Sequence, residues 1–104
     1  MIHFYRTPSI LNKVPFLQRL KQQERFRSIL RPRIEENTVV MVHDDDRICG
    51  GALVFGSDSP EYLLCFLEKE DYRAENISAL EAAIKEEFPG VKEYDICCAE
   101  KIPY

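Results

Sequence analysis

The sequence has 104 residues, 45% of them hydrophobic, and a formal net charge of −4 at pH 7. That is enough for one domain around one core, and no apolar run approaches the ~20 residues of a membrane-spanning helix. The opening Met1-Ile2-His3-Phe4-Tyr5-Arg6 lacks the basic start and long apolar segment of a signal peptide, so a cytoplasmic protein is expected.

Residues 1–6 alternate weakly in polarity and predict a first strand, followed by a turn at Thr7-Pro8-Ser9. Residues 10–36 are helical in pattern. Val14, Leu17 and Leu20, then Phe26, Ile29 and Leu30, form an apolar stripe. The polar gap Lys21-Gln22-Gln23-Glu24 predicts a joint between two helices. Pro15 suits a first helical turn, and Pro32 should end or kink the second helix. Residues 1–36 hold eight Lys/Arg against three Asp/Glu, a balance of +5, whereas residues 37–104 hold six against fifteen, a balance of −9. The basic side chains spread around the polar faces. They read first as solvated surface and second as a patch for phosphate or an acidic partner.

Thr38 to His43 is an apolar strand, Asp44-Asp45-Asp46-Arg47 a tight polar turn, and Ile48 to Phe55 a second strand. Together they predict an antiparallel hairpin. Three adjacent aspartates lack the spacing and glycine of a calcium loop, and the four cysteines include no CxxC pair. No metal site is therefore expected. The cysteines sit inside apolar runs and read as small hydrophobes in a reducing compartment. A catalytic pairing of Cys49 with His43 is conceivable from strand pairing but is not required by spacing. Gly50-Gly51 inside a strand marks a bulge or the close approach of a backbone or ligand.

The chain is organised around residues 61–98. Tyr62 to Leu67 is a continuous apolar run, the mark of a strand covered on both faces. A charged loop, Glu68 to Glu75, follows. Ile77, Leu80, Ile84 and Phe88 then recur at helical spacing. Pro89-Gly90 stops that helix, and Val91 to Cys98 forms a last strand. A strand–helix–strand unit of this length joins parallel neighbours. Asn76 or Ser78 is a good N-cap, and Ser78-Ala79-Leu80-Glu81 fits a capping box. The predicted fold is α+β: a mixed, mostly antiparallel five-stranded sheet with helices on both faces, in the order β-α(α)-β-β-β-α-β.

This layout resembles the first two-thirds of the GNAT-type N-acetyltransferase fold, shared by the acyl-homoserine-lactone synthases, over essentially the whole chain. Arg47-Ile48-Cys49-Gly50-Gly51-Ala52 is similar to that family's third strand and Leu63 to Leu67 to its fourth. Asp71 to Ser78 falls where the family carries its pyrophosphate loop, usually Arg or Gln, two residues, Gly, one residue, then Gly or Ala. Arg73 matches the first position, while Asn76 and Ser78 replace the two small ones.

The resemblance implies an acetyl-coenzyme A or other acyl-coenzyme A ligand held by Leu67, Arg73, Ala74, Glu75, Asn76, Ile77 and Ser78. Backbone N–H groups and a helix N-terminus would cradle its diphosphate. Asn76 would stand in for a glycine at positive φ. A backbone N–H near Leu67 would polarise the thioester, Glu68 or Glu70 would act as base, and Tyr94 or Tyr104 would protonate the thiolate. The bland readings stand beside these: a capped helix without ligand, solvated carboxylates at a strand end, and a half-buried Tyr94. The family continues with a further helix and strand pair, which this sequence lacks. An open sheet end would be covered by a second copy of the chain or another protein. A catalytically inactive interaction or homodimerisation module is the alternative. A nucleic-acid-binding regulator is disfavoured by the acidic total.

Overall fold

The computed structural model describes residues 1–99, the side chain of Arg25 excepted. Strand β1 (Ile2–Tyr5) leads to helix α1 (Ile10–Lys21) and a single turn, α2 (Glu24–Arg27). Strands β2 (Val39–Asp44), β3 (Arg47–Phe55) and β4 (Tyr62–Leu67) follow, then helix α3 (Ala74–Glu87) and strand β5 (Glu93–Cys98). The five strands form one sheet in sequence order. The first four are antiparallel, and β5 runs parallel to β4 from Tyr62↔Glu93 to Leu67↔Cys98. The element order and the strand directions are those the sequence predicts.

The second helix is one turn rather than a segment continuing to Pro32, so that expectation is corrected. A 3₁₀ turn at Ile34–Glu36 follows the Arg31-Pro32-Arg33 stretch. Proline disfavours helical geometry in the residue before it and has no N–H to donate. Buried Asn37 holds this connection instead. Its Oδ1 accepts the Arg31 N–H at 2.9 Å, and its Nδ2 donates to the Arg33 carbonyl at 3.0 Å. Ile29, expected on the apolar stripe, is accordingly 40% exposed.

Each sheet face carries its own core. Leu80, Ala83 and Ile84 of α3, with Phe88 just after its end, pack against Val40, Val42, Leu63, Cys65 and Leu67. On the other face, Leu17, Leu20 and Phe26 pack against Val39, Met41, Leu53, Leu64 and Phe66. Tyr62 to Leu67 is apolar throughout because β4 contributes alternately to both. Phe66 is the hub of the second core, with edge-to-face contacts to Phe26 at 5.2 Å and Phe16 at 5.9 Å.

The Gly50-Gly51 pair has a local cause. Val42 pairs with Gly50 and His43 with Ile48, so Cys49 is an extra, bulged residue. Strict alternation would put Cys49 and Ala52, three positions apart, on opposite faces, yet both lie in the α3-side core. The bulge turns over the start of β3, so that Ile48 meets the α1 face and Arg47 the loop beyond β4. A Cβ on Gly50 would stand 2.0 Å from the Phe66 carbonyl oxygen, and one on Gly51 2.8 Å from the Phe16 ring. At Gly51 the obstacle is a side chain that can move, whereas at Gly50 it is backbone. Gly50→Ala should therefore lower the urea midpoint clearly more than Gly51→Ala. Leu63→Ala, at a position with no exposed surface, should cost about 2–5 kcal/mol.

Candidate functional site

At the C-terminal end of β4 an ion pair borders a cavity, and the loop beyond it leads into helix α3. Glu68 leaves the strand with its N–H donating to the Cys49 carbonyl at 2.9 Å. Its carboxylate is gripped by Arg19 of α1 in a two-pronged pair, Nη1–Oε1 2.6 Å and Nη2–Oε2 2.9 Å. Both side chains line a cavity of about 190 Å³ between α1 and the sheet, together with Phe16, Met41, Ile48 and Phe66. A larger cavity of about 490 Å³ lies under the α2–β2 connection at the far end of β3. None of the residues singled out in the sequence for catalysis or cofactor binding lines it.

Beyond Glu68 the chain makes a 3₁₀ turn, Lys69–Asp71. Asp71 is buried, and Arg47 reaches it with both arms of the guanidinium, one of them at Nη1–Oδ2 3.1 Å. That ion pair raises the Arg47 pKa. The Asp71 carbonyl accepts from the Arg73 N–H and from Asn76 Nδ2, both at 2.9 Å. One side chain and one carbonyl thus fix the loop to β3 and to the first turn of α3.

Helix α3 begins at Ala74, with extended Arg73 as its N-cap and no side-chain capping bond there. The expected caps at Asn76 and Ser78 are therefore corrected. Both residues lie inside the helix, because the apolar spacing through Ile77 already needs helical geometry at residue 77. The only non-glycine residue with positive φ among those described is Asp45, at 56° in the β2–β3 turn. Asn76 accordingly does not stand in for a left-handed glycine. It bonds back to the loop instead.

Leu67 is buried at the end of β4, and Ile77 packs against the α3-side core. Arg73 and Glu75 are exposed and 3.6 Å apart. Ala74 and Ser78 are also exposed, as is Glu70 on the 3₁₀ turn. The Tyr94 hydroxyl donates to Glu81 Oε2 at 2.7 Å, a bond that raises its pKa. Tyr94 faces α3, away from the cavity. Tyr104 lies outside the described residues. Burial lifts the Cys49 thiol to about 11, and Cys49 sits in the α3-side core while His43 stacks on Tyr5 at 5.2 Å. They form no nucleophile–base pair. Arg19 and Asp71 emerge as residues of the candidate site to which sequence reasoning assigns no role. Their partners lie 49 and 24 positions away, and no local pattern marks them.

No protein-family profile matches the chain, and no curated protein matches it in sequence. Among solved structures, it is similar to a protein of Xanthomonas campestris pv. campestris described as a candidate acetyltransferase of the GNAT family. The TM-score is 0.54 at 15% identity, over 92% of this chain and 74% of that one. The fold is GNAT-like. At this identity the likeness speaks for the architecture alone, and within the GNAT-like fold the end of β4 and the start of α3 are the parts the sequence resemblance singled out.

The Arg47–Asp71 pair is asymmetric: the Asp71 side chain is 4% exposed and that of Arg47 54%. Arg47→Ala would leave a buried carboxylate without its counter-ion and should lower the urea midpoint clearly. Urea titrations of both proteins at pH 7 measure this directly.

Proposed function

We propose that the protein binds an acyl-coenzyme A at the end of β4, with the diphosphate on the first turn of α3, and transfers the acyl group to an amine. The observation that carries this reading is the uncapped start of α3, tied by Asn76 to the Asp71 carbonyl in the loop that follows β4. The first N–H groups of a helix have no intrahelical acceptor, and together with the helix dipole they suit a diphosphate. Arg73 adds a positive charge, and Glu75 opposes it. Strands β4 and β5 stay paired through Leu67↔Cys98, so the pantetheine arm passes beyond that pair rather than between the strands.

In the transfer, the amine nitrogen attacks the thioester carbonyl, the carbon–sulfur bond breaks, and the thiolate takes up a proton. Glu68 is the assigned base, since it borders the cavity, and exposed Glu70 is the second choice. Tyr104 remains the assigned acid. We also propose a homodimer. The outer edge of β1 is guarded, with the Phe4 N–H donating to Glu87 Oε2 at 3.1 Å and Arg6 lying 4.1 Å over the Phe88 ring. β5 is the other edge strand of the sheet, and a second copy of the chain would cover it.

Acetyl-coenzyme A at ~100 times its dissociation constant should stabilise the native state by roughly 2.7 kcal/mol. That is a rise of order ten degrees in Tm for a domain of this size. Ala74→Pro is the sharpest variant, because proline is tolerated at the first helical position and removes one N–H donor there. Extended Arg73 already suits a residue before proline. The variant should fold normally and lose much of the shift. No shift in the native protein would remove the acyl-coenzyme A reading, and a monomer by mass measurement at high concentration would remove the dimer.

A further inference from the structure

The cavity beside β4 combines two features that its role in the fold does not require. Its walls are largely apolar, from Phe16, Met41, Ile48 and Phe66. Leu11 also lines it while remaining 85% exposed, so folding leaves apolar surface at its rim unburied. At the same cavity stand one fixed cation and one fixed anion, Arg19 and Glu68, bonded to each other through both arms. The two ion pairs near this strand end differ in how readily they exchange partners. Asp71, with its side chain 4% exposed, cannot leave Arg47 without stranding a buried charge. Arg19 and Glu68 are 39% and 29% exposed. Both side chains of this pair reach water, so either partner can be solvated while it exchanges, and a ligand can share or replace the pair.

We propose that this cavity binds the zwitterion of a free apolar amino acid of about the size of leucine or methionine. The α-carboxylate lies on the Arg19 guanidinium, whose planar fork matches it in two bonds. The α-ammonium lies on the Glu68 carboxylate, and the side chain enters among Phe16, Met41 and Phe66. Each charge of the protein pair thereby gains a partner of opposite sign. The volume fits this class: about 190 Å³ exceeds the ~150 Å³ at which an apolar cavity accepts a benzene ring, so a four-carbon side chain is admitted. A ligand bearing only one charge makes only one of these two contacts. The inference concerns binding alone and does not rest on acyl-coenzyme A recognition. If both hold, the amino group of the ligand stands beside the assigned base.

The test is an isotope-edited NMR titration of the full chain at neutral pH, without any coenzyme A, using three ligands that share one isobutyl side chain. L-leucine carries both charges, 3-methylbutylamine only the ammonium, and 4-methylpentanoate only the carboxylate. Saturable shifts at residues 16, 19, 41, 66 and 68 with L-leucine, and at least tenfold weaker binding of the other two, are expected. Arg19→Gln and Glu68→Gln should each weaken L-leucine at least tenfold while the dispersed amide spectrum persists. Equal binding of the amine and L-leucine, equal binding of the carboxylate and L-leucine, or no saturable shift with L-leucine would each overturn the proposal. The ligand series on the native chain decides the matter even if a variant fails to fold. Because coenzyme A is absent throughout, the result is independent of the acetyl-coenzyme A thermal shift.

Discussion

The Arg47–Asp71 pair is the interaction on which the arrangement at the end of β4 depends. It joins the first residue of β3 to the loop beyond β4 and places one carboxylate where water hardly reaches. A polar loop of this kind would otherwise lie loose over the strand ends, because ordering each residue costs about 1–2 kcal/mol in backbone entropy. With Asp71 pinned, its carbonyl is fixed in place to accept from Arg73 and Asn76, and the start of α3 follows. The cation comes from the hairpin, the anion from the loop, and the helix terminus takes its position from both.

The bulge at Cys49 makes that pair possible. Without the extra residue, the alternation along β3 would turn Arg47 toward α1 and Ile48 toward α3. With it, Ile48 lines the cavity and Arg47 reaches Asp71. The glycines beside the bulge let β3 lie close against β4 and let Phe16 lie on the sheet. Phe16 and Phe66 then form the apolar wall against which Arg19 and Glu68 are set. A backbone irregularity, two missing side chains and two ion pairs thus work as one arrangement at the end of β4.

Much of the fold was legible in the sequence because it rests on local patterns. The apolar run Tyr62 to Leu67, the helical spacing of Ile77, Leu80, Ile84 and Phe88, and the polar turn at Asp45-Asp46 each announce their element. The Gly50-Gly51 pair announced a bulge within one residue of where it lies. The start of α3 was misread because Ser78 to Glu81 has the form of a capping box, whereas the apolar face at Ile77 needed an earlier start. The length of α2 was misread because Phe26, Ile29 and Leu30 continue a helical spacing that the chain near Pro32 does not support. The site was the least legible part. Glu68 was singled out by position, but its partner Arg19 sits 49 residues earlier on a helix face that read as solvated surface. Asp71 read as one more loop carboxylate, since burial cannot be seen in a charged segment.

We propose that the strand end and the helix start held by Asp71 form one ligand-binding unit. The decisive experiment follows amide shifts of the isotopically labelled chain during titration with coenzyme A itself. Saturable shifts concentrated at Leu67, Glu68 and residues 73–77 are expected, with the amides lining the second cavity at Arg31, Asn37 and Phe55 unmoved. Shifts centred on that second group, or no saturable shift anywhere, would contradict it.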